Sequence, residues 1–322
     1  MGKTSIQWAA GSNDGREGHS INPFRAENVY GATGHHCVKI SSGCKNCYSS
    51  RLQSRFKMPD FTAGNIDRVG VFLDESKLHE VLRRKKPTGY FWCDMTDMFL
   101  DAYPFEWIDK CFAVMALTPQ HIHMILTKRP ERMREYMDRA TPNGIDDVLV
   151  LLGVEARREF EWPLPNCSLG VSVEDQERAD ERIPPLLQIP AAVRFVSYEP
   201  ALGPVDFSCW FPHEHAEYPR EKVCKVCGVQ TTALHHPYGK SLLDWVIVGG
   251  ESGPGARPFN TQWARDVIAQ CKAAGVACFV KQVGSNPQWA TMGVDNLYLP
   301  RDRKGGDPSE WPADLRVREY PA

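Results

Sequence analysis

The sequence predicts an α/β fold, a partial or full (β/α) barrel of the TIM type that carries insertions. Short apolar runs such as HIHMILT, VRFVSYEP and ACFVKQVG recur along the chain, and segments with apolar residues at helical spacing separate them. Apolar runs that alternate with helices are typical of a parallel sheet buried on both faces. Polar residues follow directly after these runs, at the end of each strand where such barrels build their sites.

The elements follow from these runs and from the helical stripes between them. The predicted strands cover residues 4–9, 90–95, 121–127, 169–174, 193–200, 244–253 and 277–284, giving seven βα-type units. The predicted helices cover residues 48–57, 74–86, part of 102–119, a segment opening at Pro130, 175–187 and 261–275. Residues 11–36 are rich in Gly, Asn and Ser, which favours a loop. The barrel is expected to span residues 1–286, interrupted by an insert at 201–243, and residues 287–322 to form an extended cover.

The composition favours a cytosolic protein without a strong overall charge. The 322 residues include 38 Lys and Arg against 40 Asp and Glu, so no overall basic field attracts nucleic acid, although a local basic groove would suffice. The chain has no apolar run long enough to cross a membrane, and its first residues lack the apolar region of a signal peptide. Eleven cysteines in a reducing compartment indicate metal ligands or core residues rather than disulfides.

One loop carries the most specific chemical signal. The stretch from His36 to Tyr48 reads HCVKISSGCKNCY, which spaces Cys37, Cys44 and Cys47 as C-x6-C-x2-C. A structural zinc ion takes four protein ligands, whereas three thiolates suit an iron–sulfur cluster with one iron left open. The alternatives are a zinc site completed by His35 or His36, or three free buried thiols.

A second Cys/His-rich stretch lies in the insert. Cys224 and Cys227, within CKVCG, form half of a zinc site. The spacing leaves the remaining ligands open, and the candidates are Cys209, His213, His215, His235 and His236. The sequence therefore predicts a small structural zinc site in this insert, with Cys209 and His235 as one ligand choice.

Polar residues cluster at the predicted carboxyl ends of six strands. They are Asp94, Thr96 and Asp97; Lys128 and Arg129; Ser172 and Glu174; Ser197, Tyr198 and Glu199; Gly249, Gly250 and Glu251; and Lys281 and Gln282. A single charged residue in such a place is most often a helix cap or part of a salt bridge. Six strand ends with the same character favour a functional site at that end of the sheet.

The ordered motifs of the chain resemble one family. GCKNCY, FWCDMTDMF, ILTKRPERM, LGVSVED, RFVSYEPALGPVD and VIVGGESGPGARP are similar to the phage-associated Gp37/Gp68 family, also called DUF5131, from about Thr4 to Gly284. The three-cysteine loop near the start of a (β/α) barrel also resembles the radical SAM superfamily. The usual spacing in that superfamily is C-x3-C-x2-C, so the loop has a variant spacing.

The resemblance implies a radical SAM barrel with a [4Fe-4S] cluster on Cys37, Cys44 and Cys47. It implies that S-adenosylmethionine binds the open iron and, after one-electron cleavage, yields a 5′-deoxyadenosyl radical that abstracts hydrogen from a substrate. Charge and hydrogen-bond type then suggest cofactor-binding residues. These are Tyr48 beside the cluster, Asp94, Thr96 and Asp97 for the methionyl amine, Lys128 and Arg129 for its carboxylate, and Ser172 and Glu174 for the ribose.

The same resemblance leaves Glu199, Glu251, Lys281 and Gln282 for the substrate, with the first three as catalytic candidates. The one-electron cleavage implies an electron donor such as flavodoxin or ferredoxin. Phage association implies the host cytoplasm and a hypermodified thymidine in DNA as the substrate to be rearranged. A peptide, an RNA base or a small metabolite also fits. Two other classes stay open: a zinc-containing nucleic-acid-binding module without catalysis, and a cluster-free hydrolase that uses Glu199 and Glu251 as an acid–base pair.

Overall fold

The computed structural model describes residues 2–140, 161–211, 243–289 and 300–321, which form a mixed α/β fold. The strands are β1 (Gly2–Lys3), β2 (Glu17–Ile21), β3 (Phe24–Asn28), β4 (Thr33–Gly34), β5 (Val69–Leu73), β6 (Thr88–Trp92), β7 (Ile122–Thr127), β8 (Cys167–Val173), β9 (Val193–Tyr198), β10 (Trp245–Gly249), β11 (Phe259–Asn260), β12 (Ala277–Gln282) and β13 (Pro287–Gln288). The helices are α1 (Tyr48–Gln53), α2 (Glu75–Arg83), α3 (Phe105–Ala116), α4 (Pro130–Arg139), α5 (Gln176–Leu187) and α6 (Thr261–Ala274).

The main sheet has eight strands in the order β1-β2-β6-β7-β8-β9-β10-β12. The chain divides into two compact units, the first comprising Met1–Gly170 and Ile189–Ala192, the second Val171–Gln188 and Val193–Ala322. The alternation of strands and helices confirms the α/β prediction. Closure into a barrel of the radical SAM type stays a prediction. No helix among the described residues is both long and apolar enough to cross a membrane.

In the first unit, β2, β6 and β7 are parallel neighbours, and β1 pairs antiparallel with β2. A separate antiparallel sheet has the order β4-β3-β5. All five residues of β6 are buried, as expected for a central strand of a parallel sheet. Because Ile21 of β2 pairs with Trp92 of β6, and Trp92 with Ile125 of β7, the three strands end at the same edge of the sheet.

The first strand of the sheet is not where the sequence predicted it. Residues 4–9 form no strand; instead Gln7–Ala10 make a 3₁₀ turn that buries Trp8 and Ala9. Gly18 and Gly89 of the sheet leave room for this turn. A Cβ on Gly89 would lie 2.3 Å from the carbonyl oxygens of Ala9 and Ala10. The alternating apolar residues that suggested a strand therefore pack onto the sheet rather than pair within it.

The predicted loop at residues 11–36 contains β2, β3 and β4 instead. Strand β2 reads EGHSI and buries His19 and Ile21, while β3 reads FRAEN and buries Phe24 and Ala26. Both strands alternate buried and more exposed residues, but each shows only two buried side chains among polar neighbours. The Gly- and Asn-rich composition therefore masked two short strands with the expected period of two.

Two of the helices have the caps that their sequences favour, whereas the helices predicted at 48–57 and 74–86 end earlier, at Gln53 and Arg83. Asp175 caps α5 by accepting a hydrogen bond from the backbone N–H of Arg178 at 2.9 Å, and Asn260 caps α6 through the N–H of Gln262 at 2.9 Å. Gly275 ends α6 with a φ of +67°, a conformation that favours glycine. The predicted strands after residue 88 agree with β6, β7, β8, β9, β10 and β12 to within a few residues.

In the second unit, β9, β10 and β12 are parallel neighbours, so their carboxyl ends also share one edge. Residues near the end of the chain lie along β12: the N–H of Val280 donates to the carbonyl of Val317 at 2.8 Å, and the N–H of Glu319 to that of Cys278 at 2.8 Å. The indole N–H of Trp245 donates to the Glu319 carbonyl at 2.9 Å. This part of the predicted cover at 287–322 thus pairs with the free side of β12.

The core of the first unit contains a neutral histidine. His123 on β7 is fully buried and stacks on Tyr90, and its Nδ1 accepts a hydrogen bond from the Trp92 indole N–H at 3.0 Å. Its Nε2 therefore carries the proton and donates to the Thr118 hydroxyl, 3.0 Å away. Burial lowers the pKa of His123 to about 3, and burial also lowers the pKa of His35 to about 4.

These depressed pKa values predict that the fold weakens in mild acid. Below pH 6.5 the unfolded histidines bind protons while His123 and His35 in the fold stay neutral down to about pH 3 and 4. The free energy of unfolding is therefore expected to fall by up to about 1.4 kcal/mol per pH unit for each of them as the pH drops below about 6. Urea unfolding between about pH 7 and pH 5 measures this slope.

A variant separates His123 from the other titrating groups. His123→Phe keeps an aromatic ring in the core but loses two hydrogen bonds. It is expected to reduce the pH dependence of the free energy of unfolding by the contribution of one histidine, up to about 1.4 kcal/mol per pH unit. The matched control is His79→Phe, since His79 is exposed on α2. A slope unchanged by His123→Phe, or reduced as much by His79→Phe, would contradict the prediction.

Candidate functional site

The three-cysteine loop of the first unit lies against the ends of its parallel strands. The chain leaves β2 at Asn22, β6 at Cys93 and β7 at Lys128, so these turns meet at one edge. Tyr48, which ends the loop, donates its hydroxyl to the Asp94 carboxylate at 2.9 Å. The sequence placed cysteines and strand ends in separate motifs, and the structure brings them together.

Two backbone carbonyls fix the segment around Cys37. The carbonyl of His36 accepts hydrogen bonds from the hydroxyls of Thr96, at 2.5 Å, and Tyr103, at 3.0 Å. The carbonyl of Val38 accepts one from Nη2 of Arg129 at 2.8 Å. Cys37 is therefore held between two anchored carbonyls, and neither anchor involves its own side chain.

Asp97 is the centre of this anchoring network. Its Oδ1 accepts hydrogen bonds from the Thr127 hydroxyl at 2.7 Å and the Phe99 N–H at 3.0 Å. Its Oδ2 accepts one from the Lys128 N–H at 3.0 Å and forms an ion pair with Nη1 of Arg129 at 2.9 Å. Four donors on one largely buried carboxylate favour a positioning role for Asp97, which orients Arg129 towards the loop.

Asp94 and its neighbours form the more open part of this edge. Asp94 is half-buried and accepts a hydrogen bond from the side-chain N–H of Asn22 at 2.5 Å, in addition to that from Tyr48. The ring of Tyr48 is 49% exposed. Sequence reasoning missed Asn22, because β2 was not recognised as the strand that precedes it.

Cys93 is a further residue whose role the sequence did not indicate. It follows β6 with a φ of +61°, and its N–H donates to the Ile21 carbonyl at 2.8 Å. Left-handed conformations are uncommon outside glycine and often accompany functional turns. This turn redirects the chain so that Asp94, Thr96 and Asp97 face the cysteine loop. The Cys93 thiol itself is buried.

The three loop cysteines are free and half-buried. Ser42–Cys44 form a 3₁₀ turn, and the Cys47 N–H donates to the Cys44 carbonyl at 3.3 Å. Burial raises the pKa of the Cys37 thiol to about 12, and the nearby Asp97, Cys44 and Cys47 raise it further while Arg129 opposes them.

The donor set matches an iron–sulfur cluster in chemical type, since Cys thiolates hold such clusters, and the loop supplies three of the four cysteines that a [4Fe-4S] cluster usually takes. Across the described ranges, however, no three or more His, Cys, Asp or Glu side chains are gathered tightly enough to hold a metal ion. Cluster binding therefore requires the thiols to approach one another. The high pKa of Cys37 also means that a bound cation would have to displace its proton.

The neighbouring histidines are buried rather than exposed to solvent. Nδ1 of His35 donates to the Phe24 carbonyl at 3.0 Å. His36 is fully buried and packs edge-on against Phe61 at 5.7 Å between ring centroids. Burial lowers the pKa of both rings, so each is neutral at pH 7. Neutral imidazole is the form that binds metals, and a zinc site completed by either residue stays an alternative.

The second unit carries three carboxylates at its strand ends, each with a cationic partner. Glu199 accepts a hydrogen bond from Nζ of Lys281 at 2.6 Å and one from the Gln282 side chain at 3.2 Å. Glu251 forms a two-pronged ion pair with Arg257, with Nη2 to Oε1 at 2.7 Å and Nε to Oε2 at 3.1 Å. An acid–base pair of Glu199 and Glu251 would require both to leave these partners.

The third ion pair, between Glu174 and Arg182, is more deeply buried than the other two. Glu174 and Arg182 are buried, with Nη1 of Arg182 3.0 Å from Oε2 of Glu174 and 2.7 Å from the Ser172 carbonyl. Ser172 is also buried, and its hydroxyl donates to the Glu199 carbonyl at 3.4 Å. The burial of Glu174 favours a structural role over the predicted contact with a ribose.

Most candidate ligands of the predicted zinc site lie outside the described residues. They are Cys224, Cys227, His213, His215, His235 and His236. Cys209 is described; it lies in the 3₁₀ turn Ser208–Trp210 and is half-buried. The zinc site therefore stays a prediction.

Comparison with known proteins gives one match. The family model DUF5131, described as a protein of unknown function, matches residues 26–305 and confirms the resemblance found in the motifs. No curated protein and no solved structure matches the chain.

Proposed function

This chain belongs to the DUF5131 family, and we propose that it is a radical S-adenosylmethionine enzyme with a partial barrel of that superfamily's type. One observation carries the proposal: three free cysteines lie on one loop that is anchored to the carboxyl ends of parallel strands. Cys37, Cys44 and Cys47 would hold a [4Fe-4S] cluster whose fourth iron is open to S-adenosylmethionine.

When bound, the cluster and S-adenosylmethionine would supply a 5′-deoxyadenosyl radical that abstracts hydrogen. The protein residues would position this chemistry and exclude water. Thr96, Asp97 and Arg129 hold the backbone on both sides of Cys37. Half-buried Asp94, with Tyr48 beside it, is the carboxylate we assign to the methionyl amine, and Lys128 is the cation we assign to its carboxylate.

The proposed reductant is a one-electron donor such as flavodoxin or ferredoxin in a reducing cytoplasm. The proposed substrate is a modified nucleobase, a hypermodified thymidine in DNA being the concrete form. We assign the substrate chemistry to Glu199, Lys281 and Glu251 of the second unit. The contact between Glu199 and Lys281, at 2.6 Å, places a carboxylate beside an ammonium group.

The test is anaerobic purification of the full chain, followed by iron, sulfide and zinc analysis. A brown protein with about four irons per chain that forms 5′-deoxyadenosine from S-adenosylmethionine and dithionite is the expected result. A colourless protein that holds zinc without iron would overturn the proposal in favour of a structural metal site.

A further inference from the structure

The segment around the cysteine loop has an unusual local charge. From Asn28 to Pro59 the chain contains five Lys and Arg and no Asp or Glu, although the whole protein has a formal net charge of −2. All five cationic side chains are exposed: Lys39, Lys45, Arg51, Arg55 and Lys57. A local concentration of exposed cations in a weakly acidic protein indicates a polyanionic partner.

The same segment also carries exposed apolar side chains. Within the described residues, every exposed large hydrophobic side chain belongs to this segment. They are Val29, Tyr30, Ile40, Tyr48 and Phe56. Tyr30 is 91% exposed at the tip between β3 and β4, and three of the five side chains are aromatic. We call these five residues and the five cations the basic–aromatic surface.

The parts of this surface are joined through short contacts. The side-chain N–H of Asn28 donates to the Lys57 carbonyl at 2.7 Å, which links the turn bearing Tyr30 to the segment bearing Phe56. The N–H of Lys39 donates to the Phe61 carbonyl at 3.4 Å, which links the cysteine loop to the same segment. Rings and cations are therefore presented by loops, by α1 and by the 3₁₀ turn Ser54–Phe56, all within the first unit.

We propose that the basic–aromatic surface binds single-stranded nucleic acid, with its cations on phosphates and its exposed rings stacked on bases. Exposed aromatic residues among cations are how proteins bind single strands, because every base offers a face for stacking. A duplex hides those faces, and an acidic protein would use the cations but not the rings. A membrane-binding segment commonly presents such residues on one amphipathic helix, whereas Tyr30 and Ile40 lie in two loops and Phe56 lies in the 3₁₀ turn Ser54–Phe56.

The surface is made of the chain's own side chains, so its binding does not require the proposed cluster. Fluorescence anisotropy of the full-length protein with a labelled oligothymidylate of about 20 nucleotides measures it. Binding is expected to weaken as salt increases, with a logarithmic slope of about −0.7 for each phosphate contact. Failure to bind would overturn this inference and leave the iron measurement unaffected; a protein without iron would leave the oligonucleotide measurement unaffected.

Two sets of variants test the two components. Tyr30→Ala and Phe56→Ala are each expected to weaken binding about tenfold, and Tyr30→Phe to retain it, because the ring stacks. The double variant K39E/K57E is expected to weaken binding and reduce the salt slope by about 1.4. Its matched control is K272E/K304E, which makes the same change at two exposed lysines of the second unit. Circular dichroism checks that each variant is folded.

Other partners give distinguishable results. Equal affinity for a duplex of the same sequence, with no effect of the ring variants, would overturn the assignment to single strands. Equally effective competition by poly-L-glutamate would show that the surface recognises charge alone. Binding to phosphatidylserine vesicles without binding to the oligonucleotide would identify a membrane surface instead. An equal loss in K272E/K304E would also contradict the proposal.

Discussion

Replacing Cys37, Cys44 or Cys47 by Ala, one at a time, is expected to reduce the iron content of the reconstituted protein from about four per chain to near zero. Each thiolate would hold one iron of the cluster, so a missing ligand leaves that iron unsupported. The formation of 5′-deoxyadenosine should disappear in parallel. Iron and sulfide analysis together with visible absorbance measures the first effect, and product analysis the second.

The structure indicates that these variants will still fold. The loop is anchored through the carbonyls of His36 and Val38, which accept from Thr96, Tyr103 and Arg129, and an alanine at position 37 leaves both carbonyls in place. Cys44 and Cys47 are only half-buried, so little packing is lost. Loss of iron without loss of the cooperative unfolding transition therefore separates ligand removal from misfolding.

A matched control is Cys111→Ala, since Cys111 is a buried cysteine of α3. It removes a thiol from the first unit without touching the loop and is expected to keep the full iron content. If all three loop variants retained their iron, the cysteines would not be the cluster ligands. If iron were absent from the parent protein while zinc was present, the loop would be a structural site.

The sequence predicts the fold best where a strand carries a short apolar run. Every residue of β6 and β10 is buried, and the runs YFW in β6 and WVIV in β10 mark these strands in the sequence. Strand β2 contributes Glu17, Gly18 and Ser20 to the same sheet, where it pairs with β6. A strand of that composition cannot be recognised from its own residues, because its position depends on pairing with a distant segment.

The candidate site, like the fold, could be predicted from the sequence only in part. The polar residues after each strand could be predicted, because parallel strands bring their carboxyl ends to one edge. Their partners could not: Asp97 pairs with a residue 32 positions away, and Glu199 with one 82 positions away. Local spacing does not encode such long-range pairs. The sequence therefore indicated which residues are polar at the strand ends, whereas the structure shows which of them hold the loop.

Glu174→Ala is expected to destabilise the protein by about 3–5 kcal/mol, the largest stability effect we predict for a single side chain. The side chains of Glu174 and Arg182 are 0% and 1% exposed, so the variant removes the buried carboxylate and leaves the guanidinium only the 52% exposed Glu181, 3.9 Å from its Nε. Arg182 keeps its hydrogen bond to the Ser172 carbonyl, which does not neutralise it. Urea unfolding of the variant and the parent protein measures the difference.

The helix that carries Arg182 offers the matched control. Glu177 pairs with Arg178 on α5, but its side chain is 79% exposed, so Glu177→Ala is expected to change stability by less than about 1 kcal/mol. The double variant E174L/R182M removes both charges and is expected to recover most of the loss, since an apolar pair of similar volume can replace a buried ion pair. An effect of Glu174→Ala no larger than that of Glu177→Ala would contradict the prediction.

The double variant also decides between the two roles considered for Glu174. If Glu174 only stabilises the fold, E174L/R182M should form 5′-deoxyadenosine at the parent rate once it is folded, because no group that contacts the cofactor has changed. If Glu174 binds the ribose hydroxyls, the folded double variant should instead show a raised KM for S-adenosylmethionine. Since the carboxylate is fully buried against Arg182, we expect the first result.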